Sequence, residues 1–250
     1  MCGRFFLSTS SAEIARRFDL GAVPPLVPRF NIAPGQEIAV VRAHRSGAAG
    51  AAAMRVLELR HWGLVPHWAP EPRCAPRPIN ARAETAASLP LFREALACRR
   101  GLVPADGFYE WQHRGRSARP YAVRVRGGEP FAMAALWERW EGTGEDGQGG
   151  VLAIESCAIV TTGANARVAA VHDRMPAILA PKEWARWLDP ERLDPEDLAA
   201  LLRPCPDEWI DLHPVDARVN DVREDDARLV EPERDLFSAA AAAPGRSGGE

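Results

Sequence analysis

The sequence predicts an α+β fold: a single domain with a curled antiparallel β-sheet, barrel-like at its core, flanked by short helices. Three observations lead there. Apolar residues fall in short runs at Leu102-Val103 and at 108–111, 121–125 and 131–137, spaced like the strands of a curled sheet or barrel. The helical signals elsewhere are short. No repeat and no composition break divides residues 1–237, whereas 238–250 is an Ala/Gly/Ser/Pro tail expected to be disordered. With 250 residues, 46% of them hydrophobic, the chain is long enough to bury one sizeable core.

Taken in order, Ser10-Ser11-Ala12-Glu13 matches a capping box and opens a helix carrying Ile14, Ala15 and Phe18. Residues 22–34 are proline-studded and read as irregular. Strands follow at 37–42 and 55–62, separated by an Ala/Gly-rich loop at 46–53. Short helices are predicted at 83–88 and 91–98, then the strand-rich stretch. The glycine-rich 142–150 reads as an exposed, flexible connection. A strand at 152–161 precedes helical segments near Asn165, at 182–188 and at 195–202. Pro181 stands at the first position of the second of these, where a missing N–H costs nothing. A last strand is expected at 209–215.

The bulk numbers restrict the function classes. Five cysteines (Cys2, Cys74, Cys98, Cys157, Cys205) lie singly, which argues against a zinc ribbon and a secreted disulfide framework and for a reducing cytoplasm. No apolar run approaches the ~18 residues of a membrane helix, and no signal-peptide core is present. Net charge is −3, yet residues 1–126 hold 19 Arg against 9 acids and residues 127–250 hold 12 basic residues against 25 acids. Such asymmetry fits a polyanion-binding face, or two halves that mix on one surface and cancel. Lys182 is the one lysine, so the amines open to Schiff-base chemistry are Lys182 and the N-terminus.

The start, Met1-Cys2-Gly3-Arg4-Phe5, carries the sharpest chemistry. A small residue at position two favours removal of the initiator Met, which leaves an α-amine and a thiol on the same residue. An α-amine titrates near ~8, so part of it is nucleophilic at neutral pH. The thiol reacts as its thiolate. A 1,2-aminothiol condenses with an aldehyde to an imine and closes into a thiazolidine. It also suits an N-terminal nucleophile that uses its own amine as base.

Four further polar residues stand in unusual settings. Asn80 lies between a proline-rich loop and a helix start, where it either caps the helix or serves a site. Glu110, in Phe108-Tyr109-Glu110-Trp111, is framed by aromatics that would desolvate it and raise its pKa, unless strand alternation turns it to solvent. His172, in His172-Asp173-Arg174-Met175-Pro176, and His213, in His213-Pro214-Val215, are both candidate general acids, and the local sequence does not rank them. Arg4, Arg29 and Arg82 lie beside these residues and suit bidentate phosphate contacts. Trp62 and Trp68 frame a Gly/Pro loop, where they either stack on unpaired bases or belong to the core.

In order along the chain, Met1-Cys2-Gly3-Arg4-Phe5, Arg29-Phe30-Asn31-Ile32-Ala33-Pro34-Gly35, the Trp62-to-Trp68 loop and Ile79-Asn80-Ala81-Arg82 are followed by Asp106-Gly107-Phe108-Tyr109-Glu110-Trp111, the His172 motif and the His213 motif. This set resembles the SRAP family, the SOS response-associated peptidases or abasic-site-processing proteins, from Cys2 to about Asn220. The resemblance implies a monomeric protein that binds single-stranded DNA containing abasic sites and links Cys2 to the ring-opened aldehyde as a thiazolidine. It implies that Cys2 is the nucleophile, Asn80 orients the N-terminal residue and the sugar, Glu110 shuttles protons, and His172 assists ring opening and reversal. Arg4 and Arg82 become phosphate ligands; Asn31, Pro34, Trp62 and Trp68, with Arg29 and His213, become DNA-contacting residues. No cofactor and no metal are implied, and the site of action is the cytoplasm, at the nucleoid after damage. Met1 would leave by self-processing or through an aminopeptidase. The acidic stretch 221–235 and the 46–53 insertion look peripheral, and Asp216 places an acid near the His213 region.

Two other functions compete. An N-terminal-nucleophile amidotransferase would also begin Met-Cys-Gly, but Arg4-Phe5 departs from its usual continuation and no synthase domain follows. A noncovalent single-stranded DNA-binding module would use the arginines and tryptophans without Cys2.

Overall fold

Five strands close on themselves at the centre of the molecule. The computed structural model describes residues 2–44, 54–143, 151–191 and 195–233. The predicted 46–53 loop and 238–250 tail lie outside these residues, as does most of the 142–150 connection. Strands β1 (Phe5–Leu7), β2 (Arg29–Ile32), β3 (Glu37–His44), β4 (Met54–Trp62) and β5 (Asn80–Arg82) precede β6 (Arg100–Ala105), β7 (Gly107–Arg114), β8 (Ser117–Val125) and β9 (Phe131–Thr143). Then come β10 (Val151–Gly163), β11 (Arg174–Pro176), β12 (Ile178–Leu179) and β13 (Ile210–Pro214). The order β10-β4-β3-β6-β9, with β9 paired back to β10, forms a five-strand barrel. A second, antiparallel sheet runs β13-β8-β7-β1-β2.

The α+β expectation holds, with one refinement. β10 runs parallel to both β4 and β5, so the barrel sheet is mixed. Along β9 the fully buried Ala132 and Ala134 share one face and Ala135 the other, so the strand carries small side chains on both sides.

Helix α1 (Ser11–Phe18) starts where the sequence says: Ser10 Oγ accepts from the Glu13 N–H, and Asp19 ends the helix in the left-handed region. Its Phe18 stacks on Trp184 of α5 (Trp184–Leu188), with ring centroids 4.4 Å apart. The remaining helices are short: α2 (Ala83–Ala86), α3 (Pro90–Cys98), α4 (Ala166–Ala169) and α6 (Pro195–Leu201). Arg100 joins α3 to α5. Its guanidinium, 3% exposed, donates to Leu96 O, Ala97 O, Trp187 O and Asp189 O, the terminal carbonyls of both helices.

Strands β1 and β2 were not predicted, and β2 lies inside the stretch read as irregular. Each is too short to show a period, and each forms because β7 and its neighbour supply hydrogen-bond partners. Gly142 and Thr143, assigned to the flexible connection, extend β9 instead, and the missing Cβ at Gly142 leaves room for the Trp140 ring.

The acidic 221–235 stretch is not peripheral as far as it is described. Residues 216–233 lie over the outer face of the second sheet, where Val219 and Leu229 join Phe6, Tyr109 and Ala122 in a small core. The second sheet is therefore covered on both faces.

One brace sets the start of the chain. Asp106, between β6 and β7, accepts from the N–H and hydroxyl groups of both Ser8 and Thr9, at 2.7–2.9 Å. Gly107 follows it because any Cβ there would meet the Phe6 ring at 2.2 Å. Asp106→Ala leaves two backbone N–H groups without their acceptor, and is expected to cost about 2 kcal/mol in urea unfolding.

Candidate active site

The two sheets meet at the N-terminus of β1. Beyond Phe5 the chain continues antiparallel to β7, with the Tyr109 N–H donating to Arg4 O at 2.9 Å. Side chains alternate along β7. Tyr109 packs into the outer core with Phe6, whereas Phe108 faces the main core with Phe5 and Cys2. Glu110 shares the Phe108 face. It points inward, 2% exposed, rather than to solvent.

Asn80 arrives from the other sheet. On β5, held against Ile159 of β10, it donates from Nδ2 to Cys2 O at 2.9 Å. Its Oδ1 is buried and has no hydrogen-bond partner among the described residues. A buried acceptor left open in this way is costly unless a donor reaches it.

His172 completes the cluster. It lies between α4 and β11, where the Arg174 N–H donates to Nδ1 at 2.9 Å. In the neutral ring the proton therefore sits on Nε2, which stands 4.0 Å from Glu110 Oε2. When the ring is protonated, Nδ1–H has Asp173 Oδ1 at 3.1 Å. Both charge states have partners.

Burial dominates the electrostatics. It raises the Glu110 carboxyl to about 7 against the N-terminal amine, which lowers it, with the Asp173 charge adding to the rise. It lowers His172, as does the N-terminal amine, while Asp173 acts in the opposite sense. It pushes the Cys2 thiol well above its ordinary value, and the Glu110 charge pushes it further. Near neutral pH the site thus holds a thiol, a neutral imidazole and a carboxyl poised between its two forms. Among the described residues no group of three or more His, Cys, Asp or Glu is placed to hold a metal. Among the described residues no helix is long and apolar enough to cross a membrane.

The structure brings Cys2, Asn80, Glu110 and His172 together and separates His213 from them. Tyr109, Ala122 and His213 are aligned across β7, β8 and β13, so His213 lies on the outer face, opposite to Glu110. Its Nε2 lies 3.1 Å from Val230 O.

Two of the expected DNA-contacting side chains are corrected. Asn31 is fully buried: Nδ2 donates to Val219 O, Asp221 O and Glu224 O, and Oδ1 accepts from Arg4 at 2.7 Å. Trp62 is also fully buried, edge-on to Phe5, with its indole N–H on Ile79 O. Neither presents a surface to a base. Asn31 was read in an irregular stretch, and Trp62 at the end of a strand with the core left open as its alternative; partners distant along the chain draw Asn31 inside.

The others keep some exposure. Trp68 is 53% exposed, on a loop held by the Trp140 indole donating to Ala69 O and by Val65 N–H donating to Ser156 Oγ. Pro34 is exposed in the turn that Gly35 makes at φ 85°. Arg82 is exposed before α2 and forms no ion pair among the described residues. Arg4 is committed to Asn31 and Val219 O, and Arg29 to Gln36 and, at 3.6 Å, to Asp225. The acidic segment thus neutralises part of the basic half of the chain, and the two halves mix on this face. Arg174, missed in the sequence, pairs with both oxygens of Glu84 at 2.7 and 2.9 Å and ties α2 to β11. Its place in the His172 motif was the available signal.

The family model described as "SOS response associated peptidase (SRAP)" matches residues 1–222. Abasic site processing protein YoqW of Bacillus subtilis is 34% identical over 235 residues, covering 92% of this chain and 99% of that one. YedK of Escherichia coli is 28% identical over 241 residues, covering 93% and 100%. HMCES of Gallus gallus is 30% identical over 230 residues, covering 82% and 66%. Among solved structures, a protein from Bacteroides thetaiotaomicron has a TM-score of 0.76 at 24% identity, covering 93% of this chain and all of that one, a likeness of fold.

Proposed function

This chain belongs to the SOS response associated peptidase (SRAP) family, and on that premise we propose that it captures abasic sites in single-stranded DNA as a covalent thiazolidine on Cys2. The observation that carries the reading is the convergence of Cys2, Asn80, Glu110 and His172 from two sheets. The names of its relatives support abasic-site processing as the coarser role.

The chemistry follows from the geometry. Removal of Met1 frees the α-amine of Cys2. The amine adds to the aldehyde carbon of the ring-opened sugar, and the carbinolamine loses water to give an imine. The thiol then adds across the C=N bond: sulfur bonds to carbon, and the thiol proton ends on nitrogen. One water leaves overall. Asn80 holds Cys2 O through Nδ2, and its open Oδ1 is an acceptor for the new amine. Glu110, near its midpoint at neutral pH, delivers a proton to the departing hydroxyl and takes one from the thiol. His172, carrying its proton on Nε2, serves the sugar oxygen during ring opening.

Of the expected phosphate ligands, Arg82 is the one left exposed and without an ion pair among the described residues. Arg82→Ala is expected to weaken noncovalent DNA binding across sequences and to lower the slope of log K against log salt by about 1. Trp68 supplies a stacking surface for a neighbouring base.

The test is retention under denaturing conditions. Single-stranded DNA with one abasic site should remain attached in denaturing gels, and DNA of the same sequence without the lesion should not. Equal release of both would end the covalent reading in favour of a noncovalent binder.

A further inference from the structure

We propose that Gln112 is a positioning residue: it fixes the turn that carries His172 and thereby sets the separation of that imidazole from Glu110. The inference rests on the reading of Glu110 and His172 as the proton-transferring pair.

Glu110 and Gln112 are alternate residues of β7 and lie on one face of it. From that face Glu110 stands 4.0 Å from His172 Nε2, and Gln112 Nε2 donates to Ala170 O at 2.8 Å. Ala170 is the C-terminal cap of α4, two residues before His172. The helix is a single turn, and one turn of helix is not stable without tertiary ties. Its start is anchored by Asn165, which accepts from the Val168 N–H and donates to Cys205 O. Gln112 provides the tie from its end to β7.

The orientation of the amide is determined. Reversing it would set Oε1 against the Ala170 carbonyl oxygen, two acceptors face to face. As placed, Oε1 is buried with no partner among the described residues, so the contact to Ala170 is what holds the side chain. One strand thus carries both the carboxyl and the group that fixes the position of its partner. A displacement of a reacting group by about 1 Å can cost 10²-fold in rate, so such a tie has catalytic consequences.

The charged and titratable groups around the imidazole are the N-terminal amine, Glu110 and His113 from β7, Asp173 and Arg174 from its own turn, and Glu84 of α2 through Arg174. Gln112→Met keeps the length of the side chain, removes the donor and changes none of these charges.

Two measurements on the Met1-free Gln112→Met variant test the proposal. The first is the rate of adduct formation with abasic single-stranded DNA; the second is the NMR titration of the His172 ring without DNA. The expected result is a rate about tenfold lower, unchanged noncovalent affinity, and a His172 titration moved up toward the ordinary histidine value as the ring leaves its buried position. A normal rate with an unmoved titration would overturn the proposal, and so would a slow rate with an unmoved titration. If the unsubstituted protein forms no adduct, the crosslinking reading fails. The titration then decides alone: a moved midpoint upholds the positioning role, and an unmoved one overturns it.

Discussion

Cys2→Ala is expected to abolish denaturation-resistant retention of abasic DNA while leaving weak, salt-sensitive binding in place. The α-amine survives in this variant once Met1 is removed, so an imine still forms. Without sulfur it cannot close into a ring, and an imine hydrolyses when the protein is denatured. The loss should therefore be complete in gels and partial when borohydride traps the imine. Salt-sensitive binding persists because exposed cations such as Arg82 are untouched. Cys74, Cys98, Cys157 and Cys205 are no substitutes, since none of them carries the α-amine, and the five-membered ring closes only when amine and thiol sit on one residue. Full retention by Cys2→Ala would assign the linkage to another group.

Glu110→Gln is expected to slow adduct formation by about 10² to 10⁴, the range for loss of a positioned acid–base group. It should also remove the limb of the pH–rate profile near 7, where this carboxyl changes form. The same substitution should stabilise the fold at alkaline pH. The folded protein holds the Glu110 proton up to about 7, whereas the unfolded chain releases it around the ordinary carboxylate value of 4.5. Between those values the native state binds more protons, so stability falls as pH rises through the window. The deficit above it amounts to roughly 3 kcal/mol. Urea unfolding should find Glu110→Gln and the unsubstituted protein alike near pH 4, with the variant more stable at pH 8. A variant slower in the reaction yet equally stable at both pH values would place the carboxyl in water rather than in the buried site.

The legible parts of this molecule are the ones written in neighbouring residues. The α1 cap is local chemistry between Ser10 and Glu13, and the strand runs between 100 and 137 show themselves through unbroken apolar character. The raised pKa of Glu110 could be inferred from Phe108, Tyr109 and Trp111 around it. What escaped depends on distant partners. Asn31 is buried because carbonyls at 219, 221 and 224 meet its amide, and no residue near 31 announces them. β1 and β2 exist through pairing across the second sheet, and the acidic segment becomes part of a core through Val219 and Leu229. Local sequence left His172 and His213 unranked, and the family resemblance alone assigned the catalytic role to His172. Strand register separated them, by placing His213 on the face that Tyr109 shares and leaving His172 with Glu110.

In the proposed reaction the amine and thiol of Cys2 together close on the lesion. Intact-mass spectrometry of the protein, alone and after incubation with single-stranded DNA carrying one abasic site, tests it most directly, with fragmentation to locate the adduct. The expected result is a chain lacking Met1 and, after incubation, a species equal to protein plus DNA minus one water, with the added mass on Cys2. A Met1-free chain that forms no adduct, or one whose adduct maps to Lys182, would contradict it.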